Sequence, residues 1–254
     1  MLSPERHSRI LQALIEVPAV RVAELADLLG VSDMTVRRDI ELLDEQHLLK
    51  KIHGGASRLD VLSSIEPGFA SKAVQQLEAK QQIAQAAARL IENGMTIALG
   101  AGTTTVQLAS QLAQFEKLTV ITNSIKAAQA LYHSNPGNAA VVITGGERTP
   151  SEALVGPLSV AAIESLNVDL CFLGVHGIHP RGLSSPNLPE AQTNAAFIEA
   201  SSKLVVLADH SKFGLRALAT FAPLEQVSIL VTDAGISETT LETYRPLLNE
   251  MMVA

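Results

Sequence analysis

The sequence predicts an α/β protein in two unequal parts: a compact N-terminal unit of three helices and a hairpin, then a larger domain built on a largely parallel sheet. Three observations carry that prediction. The 254 residues are 47% hydrophobic and 18% charged, enough to bury a sizeable core. From Leu77 onward, short apolar runs alternate with helical stretches, the pattern of parallel strands covered on both faces. Residues 1–59 instead hold three short helical segments and then basic residues around a Gly-Gly turn.

In the first part, Ser3 suits a helix cap, Pro4 the first helical position, and Glu5 the positive end of the helix dipole. Ile10, Leu11, Leu14 and Ile15 give that helix an apolar face. A second helix spans Val22–Leu29 and stops at Gly30; Ser32 caps a third over Asp33–Glu45. Leu48–Ile52, the turn His53-Gly54-Gly55 and residues 56–59 form a β-hairpin. Residues 60–76 have weak periodicity and contain Pro67-Gly68, so the division is 1–59, a linker over 60–76, and a second domain over 77–254.

In the second domain, strands are expected at Thr96–Leu99, Leu118–Thr122, Ala140–Thr144, Val168–Leu173, Lys203–Leu207 and Val227–Val231. Helices are expected at Leu77–Glu92, Thr104–Ala113, Ser124–His133 and Pro189–Ser202, with another after Ser237. There is no internal repeat or low-complexity tract.

The formal charge of -7 argues against a protein held to nucleic acid by bulk positive charge. Aromatics at 3%, with no Trp, argue against a base-stacking platform. The lone cysteine, Cys171, lies in an apolar run and reads as a buried structural thiol. Seven histidines and one cysteine show no metal-ligand spacing, and no cofactor is expected. No secretory leader is evident and no apolar run is long enough to span a membrane, so the expected compartment is the cytoplasm and no membrane partner is expected.

The second helix, the tight connection through Gly30 and the third helix form a helix-turn-helix pattern, in which the second member of the pair enters the DNA major groove. On that third helix Val36, Ile40 and Leu43 face inward. Thr35, Arg37 and Arg38 then lie on its early exposed part, able to contact phosphates or the acceptors of guanine. Lys50, Lys51, His53 and Arg58 in the hairpin suit a wing against the phosphate backbone. Residues 1–58 carry a net charge of only -1, leaving -6 for the remainder. An acidic helical domain with surface ion pairs is the bland alternative.

The polar groups of the second domain gather at predicted strand ends. Gly100-Ala101-Gly102-Thr103-Thr104-Thr105 leads from a strand into a helix, as an ordinary turn or as a phosphate cradle; it is not a Walker A loop. Thr122-Asn123-Ser124, Gly145-Gly146, Gly174–Gly177 with His176, and Ala208–Phe213 with Asp209 and Lys212 follow other strands. Ligands of open parallel sheets bind beyond the carboxyl ends of the strands, so five polar loops on one edge form a constellation. Ser124 also suits a helix cap, and Lys212 is either a solvated lysine or a partner for a phosphate.

Val22–Leu29, Val31-Ser32, Thr35–Asp39, Leu42, Leu48 and Lys51–Ala56 together closely resemble the N-terminal signature of the DeoR family of bacterial transcription regulators. Gly102–Thr105, Thr122–Ser124, Gly145-Gly146 and Asp209–Gly214 resemble that family's effector domain, which is similar in fold to ribose-5-phosphate isomerase. The resemblance covers nearly the whole chain. It implies a winged helix-turn-helix in which Ser32, Thr35, Arg37, Arg38, Lys51, His53 and Gly54 serve DNA. It also implies a domain that binds a phosphorylated sugar through Gly100, Gly102, Thr103, Thr104, Thr105, Thr122, Asn123, Ser124, Gly145, His176, Glu190, Asp209 and Lys212. Glu190 either approaches the sugar hydroxyls or serves its helix dipole.

The expected function is a repressor of sugar-metabolism genes that grips double-stranded operator DNA as a homo-oligomer, dimer or tetramer, because one small module contacts too few base pairs for specific control. One alternative is an active sugar-phosphate isomerase with an appended module. Against it, the loop 174–177 carries no carboxylate, although His176, Asp209 and Glu190 remain candidate acid–base groups. A further alternative makes the N-terminal unit a protein-interaction module.

Overall fold

In the computed structural model, residues 3–17, 19–45, 48–58, 62–63, 68–134 and 139–254 are described. Helix α1 (Ser3–Glu16) buries Ile10 and Leu14 against α2 (Val22–Leu29) and α3 (Asp33–Glu45). The turn between α2 and α3 follows from one residue. Gly30 adopts φ +63°, and the amides of Gly30 and Val31 close back onto the carbonyls of Asp27 and Ala26, which ends the helix and aims α3 across it. Val36, Ile40 and Leu43 join Leu25, Leu29, Leu49 and Ala56 in one small core.

The hairpin is narrower than its expected span and gains a strand. β1 (Ala19–Arg21), between α1 and α2, pairs antiparallel with β3 (Gly55–Ser57), which pairs with β2 (Lys50–Ile52). Leu48 and Leu49 precede the ladder, the latter fully buried. The Gly-Gly turn has two separate causes: Gly54 supplies φ +80°, whereas Gly55 has no room for a side chain. A Cβ on Gly55 would lie 2.2 Å from the Val20 carbonyl oxygen. Gly55→Ala is therefore expected to force β1 away from β3 and destabilise the N-terminal unit by about 1–3 kcal/mol, measurable as a lowered melting temperature.

Part of the 60–76 segment is ordered structure, while residues 59–61 and 64–67 lie outside the described residues. β4 (Leu62–Ser63) adds to a later strand, and α4 (Phe69–Val74) precedes α5 (Leu77–Ala88). The weak periodicity there is real: α4 is six residues long and buries none of them.

Beyond α5, the chain runs β5 (Thr96–Leu99), α6 (Thr103–Ala109), β6 (Leu118–Thr122), α7 (Ile125–Ser134) and β7 (Ala139–Ile143). A hairpin follows, β8 (Glu147–Arg148) with β9 (Leu154–Val155), and then α8 (Pro157–Glu164), which periodicity did not reveal. β10 (Val168–Gly174) leads into β11 (Gly177–His179), β12 (Gly182–Ser185), α9 (Leu188–Glu199) and β13 (Ser201–Leu207). β14 (Arg216–Ala217), β15 (Ala219–Ala222), β16 (Val227–Thr232), α10 (Glu238–Tyr244) and β17 (Met251–Val253) complete it.

Seven strands make one parallel sheet in the order β17-β16-β13-β10-β5-β6-β7, with an apolar core on each face. All six expected strands are in it; β17 is the addition. From β5 the chain winds outward through β6 and β7, then returns to β10 and winds the other way. The strand order thus reverses between β5 and β10, and a crevice opens there beyond the carboxyl ends of the strands. The antiparallel trio β11-β12-β15 stands beside the sheet, and β14 pairs with β4. Among the described residues, no helix is long and apolar enough to cross a membrane, and no group of three His, Cys, Asp or Glu side chains is placed to hold a metal. Cys171 is fully buried, and burial pushes its thiol far above the usual range.

Candidate functional site

The N-terminal unit presents α3 as an exposed edge. Arg37 and Arg38 are exposed and Thr35 is half-buried. The Ser32 hydroxyl caps the helix: its oxygen accepts from the Thr35 amide at 3.3 Å and lies 2.9 Å from the Thr35 hydroxyl. On the opposite side of α3, buried Asp39 accepts from Arg6 Nε at 2.5 Å and Nη2 at 2.8 Å, and lies 3.0 Å from His7 Nε2. Burial alone would raise the Asp39 carboxyl; the hydrogen bonds from Arg6 and then His7 outweigh it and hold it below the usual carboxylate range. This network ties α1 to the underside of the helix whose upper side carries the two arginines. Asp39 belongs to the recognised motif, but its role is invisible until α1 packs beneath it.

The hairpin is braced against the same helix. Lys51 Nζ meets Glu41 Oε1 at 2.5 Å, and the Lys51 amide donates to Asp44 Oδ1 at 2.9 Å. The hydrogen bond from Lys51 lowers the Glu41 carboxyl. His53 and Gly54 form the exposed tip. Arg58, expected on the wing's phosphate side, is instead drawn toward the second domain, where Nη2 donates to the Phe213 carbonyl at 3.4 Å and burial lowers the guanidinium. Arg21 Nε likewise donates to Thr239 Oγ1 at 3.0 Å.

The second candidate site is the cleft at the strand-order reversal. The loops after β5 and β10 form two of its walls, supplying Gly102, Thr103 and Thr104 from one and His176 from the other. Asn123 from the end of β6, Glu190 from α9, and Asp209 and Lys212 from the turn after β13 complete the expected set that lines it. Five expected residues do not line it, each for a local reason. Gly100 continues the ladder, its amide donating to the Phe172 carbonyl at 2.9 Å, and a Cβ there would lie 2.4 Å from Leu173 Cδ2. The Thr105 hydroxyl donates to the Gly102 carbonyl. Thr122 Oγ1 donates to the Leu99 carbonyl and accepts from the Ser124 amide, and Ser124 Oγ caps α7 through the Ala127 amide. Gly145, at φ +75°, serves the chain reversal into β8.

Within the cleft, two buried acceptors stand without a hydrogen-bond donor: Asn123 Oδ1 and Asp209 Oδ2. Asn123 Nδ2 is spent on the Leu154 carbonyl, and Asp209 Oδ1 accepts from the amide and hydroxyl of Ser211. Lys212 Nζ stands 3.9 Å from Asp209 Oδ2, an ion pair too long to be a hydrogen bond. Glu190 is in the first turn of α9, whose cap is Asn187, and its carboxylate accepts from Thr149 Oγ1 at 2.6 Å. The turn carrying Asp209 and Lys212 is pinned by Asp233, which accepts from the His210 amide at 2.8 Å and pairs with its Nδ1 at 2.7 Å.

Sequence reasoning missed three cleft residues that matter: Lys72, Ser151 and, above all, Lys80. Lys80 is 3% exposed. Burial pushes its ammonium down to about 8; Asp209 opposes that shift, and Lys212 and Lys72 add to it. A buried lysine beside two further cations and two unsatisfied acceptors suits a ligand with both an anionic group and hydroxyl donors.

A helix-turn-helix with a braced hairpin, joined to a parallel-sheet domain with a cationic cleft, defines a DNA-binding transcription regulator with a sensor domain. Two family descriptions match accordingly: the DeoR-like helix-turn-helix domain over residues 6–61 and the DeoR C-terminal sensor domain over residues 75–234. The HTH-type transcriptional regulator FruR of Bacillus subtilis (strain 168) is 33% identical over 246 residues, covering 96% of each chain. The HTH-type transcriptional repressor CsqR of Escherichia coli (strain K12) is 34% identical over 229 residues, covering 90% of this chain and 87% of that one. The chain belongs to the DeoR family of transcriptional regulators. Among solved structures, ribose 5-phosphate isomerase A of Methanocaldococcus jannaschii is similar over 55% of each chain, with 18% identity and a TM-score of 0.41.

Proposed function

We propose that the protein is a repressor of sugar-metabolism genes whose operator affinity is set by a phosphorylated sugar bound in the cleft, acting as a homo-oligomer and without turnover. Residues 1–59 read DNA through Arg37 and Arg38, with Thr35 and the Lys51–Gly54 wing on the backbone; residues 77–254 bind the effector. The observation that carries the effector reading is the pair of unsatisfied buried acceptors, Asn123 Oδ1 and Asp209 Oδ2, in the same cleft as Lys80 and Lys212. Sugar hydroxyls supply the missing donors; the lysines and the Gly102–Thr104 turn supply the anion partners. The repressor sense follows the name of the Escherichia coli relative. Binding without turnover is supported by the loop after β10, which brings His176 and no carboxylate to a cleft whose two carboxylates, Glu190 and Asp209, come from other elements and are hydrogen-bonded to Thr149 and Ser211.

The test uses the full chain on operator duplexes selected in vitro, titrated with a panel of pentose and hexose phosphates while DNA release is followed by anisotropy. One member is expected to weaken operator binding by about 5–150-fold, the usual range of coupling between two sites. No change with any member would remove the sensor reading. The same panel in a coupled isomerase assay is expected to show no turnover. Turnover abolished by His176→Ala or Asp209→Asn would replace the repressor reading with an enzymatic one.

A further inference from the structure

The three-stranded sheet of the winged unit has one face in the N-terminal core and one outside it. Val20 of β1 and Ala56 of β3 are buried in that core, so strand alternation turns Ala19, Arg21 and Ser57 the other way. This outer face lies against the second domain. Arg21 Nε donates to Thr239 Oγ1 at 3.0 Å and Nη2 stands 3.8 Å from Glu242 Oε2, both acceptors being on α10. Beside them, Arg58 Nη2 donates to the Phe213 carbonyl at 3.4 Å. Tyr244 builds the corner that receives Arg58. Its ring meets Phe213 edge-on with centroids 5.1 Å apart, and its hydroxyl accepts from the Gly214 amide and donates to the Ile178 carbonyl.

The wing sits weakly in this seat. Arg21 and Glu242 are both exposed, where an ion pair contributes little. Arg58 is poorly served: its Nε is buried without a hydrogen-bond partner among the described residues, and Nη2 reaches a neutral carbonyl only at 3.4 Å. A guanidinium drawn out of water on those terms gains by moving to an anion. Arg21, in turn, stands at the start of α2, the helix of the pair that crosses the DNA backbone, and lies opposite Gly55 of the wing turn.

We propose that α10 and the corner at Tyr244 form a dock for the outer face of the wing that competes with DNA. The dock holds Arg21 and Arg58 in the free protein, and the reader gains both for the phosphate backbone when it lets go. This rests on the reading that residues 1–59 contact DNA. β4, four residues beyond Arg58, pairs with β14 and keeps an undocked reader close to its seat, so contacts this weak suffice to hold it. The dock lowers affinity for every duplex by one common factor, because phosphates and not bases compete for the two arginines.

Anisotropy titrations of the full chain on selected and unrelated duplexes test this. Thr239→Val and Glu242→Gln are each expected to tighten binding to both by about two- to fivefold, the range of an exposed polar pair. Arg21→Ala is expected to lower the slope of log affinity against log salt by about one. The start of α2 survives that change, because the Arg21 amide, not its side chain, donates to Glu24. In the Arg21→Ala background neither α10 substitution is expected to have any effect. No gain from Thr239→Val overturns the dock. So does a gain from Glu242→Gln that persists without Arg21, which is general charge repulsion. If Arg38→Ala also leaves operator affinity unchanged, the reading of DNA by α3 fails; a normal loss there, with no gain from Thr239→Val, removes the dock alone.

Discussion

Replacing Arg38 by alanine is expected to weaken operator binding about tenfold to a hundredfold and to relax discrimination at the base pair it reads, leaving the fold intact. The magnitude is that of one good base contact, and the loss falls on specificity because a guanidinium matches the paired acceptors of guanine. Arg38 is exposed on α3, and Val36, Ile40 and Leu43 on the inner face hold that helix in the core. The side chain can therefore be removed without opening a cavity. Lys51→Ala is the contrast. It should weaken selected and unrelated duplexes about equally and lower the slope of log affinity against log salt by about one, the signature of a lost phosphate contact. Lys51 must first leave Glu41, so part of its contact energy is spent on breaking that pair. Anisotropy titrations at several salt concentrations separate the two outcomes. Unchanged affinity and salt dependence in Arg38→Ala would remove α3 as the reading helix.

How far the sequence could be read depended on whether a feature was local. Gly30 ends α2 through its own backbone, Ser32 caps α3 through its own hydroxyl, and Val36, Ile40 and Leu43 repeat at helical spacing; each is visible within a few residues. The sheet strands were visible because they read as apolar runs: the inner strands are buried on both faces, and the edge strand β7 keeps an apolar run although Val141, Val142 and Ile143 are exposed. What stayed hidden depends on distant chain. β1 exists because β3 returns to pair with it. α4 has neither length nor an apolar face, and is held by the loop around Pro150 and by Lys80. Lys80 itself sits in an Ala-rich helix where a lysine ordinarily marks the solvent face; its burial depends on distant chain, with the carbonyls of Lys72 and Gln75 accepting from its ammonium and Asp209 and Lys212 close by. Among the polar strand ends, residue type alone could not separate cleft from scaffold. Thr103 and Thr104 line the cleft while the next residue, Thr105, turns its hydroxyl back to the Gly102 carbonyl.

The acidic balance of the chain takes a different meaning once the structure is known. The negative charge that argued against bulk DNA binding lies mostly outside residues 1–58. Within that unit Asp39 and Glu41 are engaged with Arg6 and Lys51, which leaves the outer side of α3 to its arginines. Specific recognition by a few contacts is compatible with a chain that non-specifically repels DNA.

Effector affinity is expected to be highest between about pH 6 and pH 8 and to fall toward tenfold per pH unit above that window. The lower limit comes from a phosphate monoester, whose second proton leaves near pH 6. The upper limit comes from Lys80. In the free protein burial holds its ammonium at about 8, and the charged and titratable groups facing it are Asp209, Lys212 and Lys72. A bound anion favours the protonated form, so the Lys80 ammonium rises on binding, and above pH 8 binding takes up a proton. Stability of the free protein moves the opposite way. The folded value lies below the ordinary lysine value of 10.5, so this group opposes folding fully below pH 8, and its penalty is relieved as pH rises from about 8 toward 10.5. Calorimetric titration in buffers of different ionisation enthalpy reads the proton uptake directly, and thermal melts of the free protein read the second effect. In Lys80→Met both dependences should vanish above pH 8. Retention of the upper limit in that variant would assign it to another group and leave Lys80 without a part in binding.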